Sequence, residues 1–415
     1  MLNILMHPGH GRSSVPYSPF KEVNQLSTVI ISNSQRTSKK VIVCISSTHW
    51  HFLWQRPQQI MSRLSNFYNI LFVDPPAQVS EDDLKKPNSQ QLHNLAHRIT
   101  GIHQSLKILA PFHCAGGSEP YQLMIADQIK RTLTFLGWHD PPLLWIYNLA
   151  AVPLVGHLRE LGVVYDCVDS FASFSWAHPD THLWEKELLC KAQVVFTSAR
   201  TLYEKHRELN CLTYFIPNAA DYGHFAKADH IGVNEPPDMK SIVRPRIGFV
   251  GAAYEWLDYE LLSYLAVNHR EWRLVMIGPQ QHGIELPEEP NIHWMGPRDY
   301  KVLPWYLASM DLMLIPFVRN QTTEHANPIK LWEYLAAGKA VVSTALPEVP
   351  RVPGVIWVGR DHAEFEDQCQ QALDWINSSD KRQELVMKAR AIARVNSWEV
   401  RCQQIREILR ERFRI

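Results

Sequence analysis

From Val41 onward the chain alternates short unbroken runs of apolar residues with longer segments whose apolar positions recur every three or four residues. Unbroken runs bounded by turn residues predict strands buried on both faces, and the longer period predicts helices. Strands are expected at VIVCISS from Val41, NILFVD (Asn69 to Asp74), Leu106 to Ala110, PLLWIYN (Pro142 to Asn148), VVYDCVD (Val163 to Asp169) and VVFTS (Val194 to Ser198). Between them the pattern predicts helices over RPQQIMSRLS with Pro57 in its first turn, Pro120 to Leu136, the stretch after Asn148 through Leu161, His182 to Ala192, and Ala199 to Leu209. Strand and helix in strict alternation imply a parallel sheet with right-handed crossovers. Met1 to Lys40, rich in Ser, Pro, Asn and Gln, reads as an irregular leader in which Thr28 to Ile31 could pair as a strand. Pro75 to Ser105 is polar and gives no definite element.

After YFIPNAAD (Tyr214 to Asp221) and an aperiodic, Pro- and charge-containing stretch, a second series begins. Its predicted strands are Arg246 to Ala253, Trp272 to Gly278, Asn291 to Gly296, Asp311 to Phe317, Ala340 to Val342 and Val355 to Val358. Helices are expected over Asp258 to Val267, Tyr300 to Ser309 and the stretch after Asn327, with three more closing the chain. The fold class is therefore α/β, with two doubly wound Rossmann-like domains facing across a cleft. The expected division is a leader (1–40), an N-terminal domain (41–225), a linker (226–244), a C-terminal domain (245–395) and a last helix (396–415) packing back on the N-terminal domain. Open α/β sheets bind ligands at the carboxyl ends of their strands. The loops His49 to Gln55, Asp169 to Trp176, Ala252 to Leu257 and Arg319 to Asn327 would then line the cleft.

Composition narrows the function. The 42 basic and 42 acidic residues leave no net charge, so no global field recruits nucleic acid and any phosphate must be met locally. Seven scattered cysteines without a C-x-x-C pair argue against a disulfide framework or zinc site and for a reducing cytoplasm. No apolar run approaches the ~18 residues of a membrane span. Arg401, Arg406, Arg410, Arg412 and Arg414 on the last helix form either a solvated face or a peripheral contact with anionic lipid at the inner membrane face.

The chemistry concentrates in EHANPIKLWEYLAAGKAVVST, Glu324 to Thr344. Asn327 is expected to cap a helix, Pro328 suits its first turn, and Gly338 stops it before a buried strand. The helix start presents free N–H groups and a positive dipole end to an anion. Lys330, one turn in, leans toward the same tip, and Glu333 on the same side could accept hydrogen bonds from ribose hydroxyls. Phosphate at the tip with sugar hydroxyls beside it describes a nucleoside-diphosphate site, whereas a capped core helix with two solvated charges is the plain alternative.

Four segments resemble the group 1 glycosyltransferases of the GT-B fold over roughly residues 41 to 410. They are IPNAAD with Phe225, IGFVGAAYEWLDYELL, NIHWMGPRDYKVLPWYLASMDLMLIPF and NPIKLWEYLAAGKAVVST. The resemblance implies a nucleotide-sugar donor in the C-terminal domain, a saccharide or lipid-linked acceptor against the N-terminal one, retaining transfer and no bound metal or other cofactor. Two departures matter. The family's pair of glutamates eight positions apart becomes His325 and Glu333, and the turn AAYEWLDY lacks the cations that relatives set against the diphosphate. Lys330, the helix tip, Arg298 and Arg319 are left to meet that charge, and Gly251 would admit a backbone approach to it.

On the acceptor side, His49 and His51 flank Trp50 where a hydroxyl would need deprotonation in an inverting transfer. Arg56 could pair with an acceptor phosphate or carboxylate, Asp169 faces the acceptor, and Trp50, Trp54 and Trp176 could stack on sugar. Asp166 and Asp169 lack the Asp-x-Asp spacing of metal-dependent transferases. Two other readings stay open: a nucleotide-sugar epimerase on the same fold, and a non-catalytic nucleotide-sugar-binding partner subunit.

Overall fold

The computed structural model describes residues 39–80, 82, 94–114, 121–229 and 235–415; Thr28 to Ile31 and part of the linker lie outside them. The first half carries β1 (Val41–Ile45), β2 (Asn69–Val73), β3 (Ala77–Val79), β4 (Ile99–His103), β5 (Leu106–Leu109), β6 (Phe112–Cys114), β7 (Leu143–Ile146), β8 (Gly162–Cys167), β9 (Val194–Thr197) and β10 (Thr213–Phe215). Eight of them form one sheet in the order β10-β9-β8-β7-β1-β2-β5-β4, parallel except for the β4 edge, and β3 pairs with β6 separately. Its helices are α1 (Arg56–Leu64), α2 (Tyr121–Phe135), α3 (Thr181–Lys191) and α4 (Arg200–Arg207). A short α5 (Tyr222–Phe225) follows.

The second sheet, β13-β12-β11-β14-β15-β16, is wholly parallel. It is built from β11 (Arg246–Val250), β12 (Arg273–Ile277), β13 (Ile292–Gly296), β14 (Leu312–Ile315), β15 (Ala340–Thr344) and β16 (Ile356–Gly359). Around it lie α6 (Tyr259–Asn268), α7 (Leu303–Ala308), α8 (Ile329–Ala336), α9 (His362–Asn377) and α10 (Ser379–Val395), and α11 (Trp398–Phe413) ends the chain. The two apolar clusters of this half divide the helices, α7 and α8 on one and α6 and α9 on the other. The strand order reverses between β11 and β14, which makes their carboxyl ends the switch point where a crevice opens.

Two expectations need correction. The stretch after Asn148 forms a single 3-10 segment, Leu149–Leu154, because Pro153 removes a donor inside it and Gly156 turns away at φ 92°. The polar segment before Ser105 is not featureless, since β3 and β4 lie in it. β4 keeps one residue buried and four exposed, so a search for apolar runs passes over it.

Two backbone hydrogen bonds tie the end of the first half to the approach to α11. The Ala220 N–H donates to Asn396 O at 2.9 Å, and the Trp398 N–H donates to Ala220 O at 3.0 Å. From there α11 runs back onto the first half, and Trp398, Cys402, Ile405 and Leu409 enter the core beside Ile60 and Leu64 of α1. Among the described residues no helix is long and apolar enough to cross a membrane.

Candidate active site

α8 forms where Leu331, Tyr334, Leu335 and Ala336 place an apolar stripe against the second core, and Gly338, at φ 70°, ends it. Its cap position is Pro328, and no side chain caps the first turn. Asn327 is therefore not the cap. Its Oδ1 accepts from the Trp332 indole at 3.1 Å and its Nδ2 donates to Glu348 Oε2 at 3.0 Å, which turns the carboxamide away from the first-turn N–H groups. The tip keeps the property an anion needs. Tyr334 fixes the helix beside the end of β11 by accepting the Val250 N–H at 2.8 Å.

Glu333 is 1% exposed. Its Oε2 accepts from Lys330 Nζ at 2.9 Å, while Oε1 is buried with no hydrogen-bond partner among the described residues. Burial pushes this carboxyl above its usual range; Lys330 pulls it down, and Asp221 adds to the rise. A buried acceptor atom without a donor is costly, so it marks a place where donors arrive from outside the chain.

The other donor-side candidates divide. Gly251 sits at the switch point and serves packing there. A Cβ on it would lie 2.6 Å from the Phe249 ring, and a Cβ on Gly278, at φ 151°, would lie 1.8 Å from Gly251 O. Arg298 is a strut rather than a free cation: it donates to Asp238 Oδ2 and Tyr306 Oη, both at 2.8 Å, tying the linker to α7. His325 faces the first half, its Nδ1 2.9 Å from Thr201 Oγ1 at the start of α4. Arg319 lines a hollow of about 590 Å³ with Asp258, Arg360 and His362, on the α6 and α9 side of the sheet and away from Glu333. Lys330 is the cation that remains at the tip.

On the first half, two acceptor candidates are core residues instead. Trp50, 3% exposed, packs edge-on against Phe72, because the loop after β1 folds down and the Trp50 N–H donates to Asp74 Oδ1 at 2.8 Å. Arg56, also 3% exposed, lies 2.9 Å from Asp166 and donates to Ile216 O at 2.7 Å; it holds α1 on the sheet. Trp54 packs on Tyr300 of the second half, ring centres 5.8 Å apart. Trp176 stacks on Phe174 at 4.7 Å, and Trp256 approaches the same ring from across the cleft. That group of rings, half exposed at the cleft mouth, can still present a face to a sugar. His49 is open to solvent, with Nδ1 3.5 Å from Asp74 Oδ2, and His51 is exposed.

Asp169 follows β8 into the cleft, and desolvation pushes its carboxyl up to about 7. A carboxyl poised there can exchange protons near neutral pH. Because the raised value belongs to the folded state, the folded chain holds this proton more tightly than the unfolded one. Stability should therefore fall as pH rises from about 4, the ordinary carboxylate value, toward 7. Urea unfolding across that window should show a shallower decline for Asp169→Asn than for the wild type.

Sequence reading passed over Tyr300, Asn218 and Glu348. Tyr300 fills the space between the halves. Its Oη receives Gln59 Nε2 at 2.8 Å and donates to Asp221 at 3.3 Å, and its ring lies flat on His224 at 4.5 Å. Cys167, Glu185 and His206 also converge, in the interior of the first half. Glu185 is the hub of a polar network there, its carboxylate having Tyr165 Oη at 2.9 Å, Lys205 Nζ at 3.4 Å and His206 Nε2 at 3.5 Å around it. Burial keeps the Cys167 thiol protonated.

The ends of the two sheets thus face one another across a crevice with α8 on one wall, and several comparisons bear on that arrangement. The sequence pattern of the group 1 glycosyl transferases matches residues 244–374. A Bacillus subtilis (strain 168) protein named for teichuronic acid biosynthesis, the glycosyltransferase TuaH, is 26% identical over 288 residues, covering 63% of this chain and 70% of that one. Among solved structures, a Thermosynechococcus elongatus sucrose-phosphate synthase superposes with a TM-score of 0.67 at 12% identity, covering 90% of this chain and 99% of that one. Anabaena HepE in complex with UDP-glucose gives 0.61 at 15% identity, over 89% and 99%. The Burkholderia multivorans α,α-trehalose 6-phosphate synthase gives 0.61 at 12%, over 90% and 99%.

Fold and family pattern together define a glycosyltransferase of the GT-B class. Within that class it is the stretch 244–374 that carries the group 1 pattern, and the epimerase and non-catalytic readings are not favoured.

Proposed function

We propose that this enzyme transfers a sugar from a nucleoside-diphosphate sugar to a saccharide or lipid-linked acceptor during cell-surface polysaccharide or glycoconjugate synthesis. The observation that carries the reading is Glu333, whose buried Oε1 awaits a donor one turn inside a helix with an uncapped tip. Two ribose hydroxyls would satisfy that carboxylate. The diphosphate would lie against the first-turn N–H groups and Lys330, where charge developing on the departing phosphate is stabilised. The names of the Bacillus subtilis relative and of the HepE complex support the pathway and the donor class respectively.

With Glu333 enclosed in this arrangement, donor entry requires the halves to part. Their closure then excludes water and brings the acceptor hydroxyl to the anomeric carbon. That oxygen forms the new bond to the anomeric carbon as the bond to the phosphate oxygen breaks, and its proton passes to the departing phosphate in a retaining transfer or to a base in an inverting one. Resemblance favours retention of configuration, and a base role for His49 or His51 would instead give inversion. Asp169 and Trp176 lie on the acceptor side of this scheme, and no metal ion takes part in it. Calorimetry with UDP, GDP and ADP, followed by product analysis with the matching nucleotide sugars, tests the proposal. Micromolar binding of one diphosphate and acceptor-dependent transfer are expected. No binding at millimolar concentration of all three would refute it.

A further inference from the structure

Three polar contacts from separate parts of the chain converge on Asn327, the residue just ahead of the α8 tip. Asn218, at the end of the first half, donates its Nδ2 hydrogen to Asn327 O at 2.7 Å. Glu348, in the loop after β15, accepts from Asn327 Nδ2 at 3.0 Å, and its other oxygen accepts the Arg200 N–H that opens α4, at 2.6 Å. Trp332 donates to Asn327 Oδ1 from within α8. Asn327 itself is 6% exposed. The residue that sets the direction of the donor helix tip is thus gripped by the opposite half, once directly and once through Glu348.

The grip has a fixed sense. A carboxamide can present either its oxygen or its NH₂ to a neighbour, and Asn218 presents the NH₂ to Asn327 because its oxygen faces Arg56 Nη1 at 3.4 Å. Arg56 in turn cannot swing away. Asp166 holds it from below at 2.9 Å, and Ile216 O takes a second hydrogen at 2.7 Å. The chain of contacts runs from a buried ion pair in the first sheet, through one amide, to the backbone carbonyl beside the proposed diphosphate site. The last link of that chain exists only when the halves are closed, since Asn218 belongs to the first half and Asn327 to the second.

We infer that Asn218 is a positioning residue that makes assembly of the donor site conditional on closure. Resting on the donor reading above, it holds the α8 tip at the distance and angle transfer requires only once the first half has come down on it. Nucleotide binding to the open protein does not use the contact, but turnover does. Positioning errors of this kind cost turnover out of proportion to affinity.

The test compares wild type with Asn218→Asp and Asn218→Gln. Asp is isosteric but sets an oxygen against the Asn327 carbonyl and draws closer to Arg56. Gln keeps the NH₂ on a longer arm. The measurements are UDP affinity by calorimetry, compaction on adding UDP-glucose by small-angle scattering, and turnover of UDP-glucose by release of UDP. Thermal melting confirms that each variant is folded. The inference expects Asn218→Asp to bind UDP within about twofold of wild type, to lose the compaction, and to turn over about tenfold or more slowly. Asn218→Gln should recover part of both. Wild-type compaction and turnover in Asn218→Asp would overturn it, and so would equal losses of UDP affinity and turnover. Failure of wild type to bind UDP or any other nucleoside diphosphate would instead remove the donor reading beneath it.

Discussion

Glu333→Ala is expected to weaken nucleoside-diphosphate binding by one to two orders of magnitude, with a matching rise in the donor KM. The carboxylate is buried and offers an oxygen with no internal partner, so two ribose hydroxyls would gain charge-assisted hydrogen bonds worth roughly 1.5–3 kcal/mol each. Only part of that is lost, because water re-enters the truncated site. The unliganded protein should tolerate the change. Removing Glu333 relieves a carboxyl that burial already pushes above its usual range, and Lys330 is exposed enough to find water. Calorimetry and donor-saturation kinetics on the folded variant check this. Unchanged affinity would take Glu333 out of the site.

The second large effect concerns stability. Arg56→Ala should cost about 3–5 kcal/mol, because it strands Asp166, which is fully buried, without its cation. It also takes a hydrogen bond from Ile216 O and leaves a hollow beside Trp398. Asp166→Asn should be milder, since the amide keeps one acceptor oxygen for the guanidinium. Chemical denaturation of the two variants measures the difference. If Arg56→Ala melted like wild type and lost only acceptor affinity, the residue would belong to the substrate after all.

These two residues also mark how far the sequence could be read. The α8 segment was legible because each of its signals is local. An apolar stripe, a glycine stop and a buried strand fall within twenty residues, and the side shared by Lys330 and Glu333 follows from helical spacing alone. The alternating strands and helices were legible for the same reason. Arg56 was misjudged because its partner is 110 positions away, and an arginine at a helix start looks the same whether it faces solvent or a buried aspartate. Trp50 was misjudged because nothing in HWHFLWQ shows that the loop turns inward to give its N–H to Asp74. Asn327 carried a true cap signature, and a tryptophan one turn later outcompeted the helix for its oxygen. Asn218 gave no signal beyond its place in the IPNAAD segment, since its role arises only when two distant halves meet.

The most direct test is a crystal structure of the complex with whichever nucleoside diphosphate binds. The account predicts the β-phosphate within hydrogen-bond distance of the Ile329 and Lys330 N–H groups, Lys330 Nζ turned toward it, and the ribose hydroxyls on Glu333. A nucleotide seated elsewhere, for instance in the hollow beside Arg319 and Arg360, with Glu333 untouched, would contradict it.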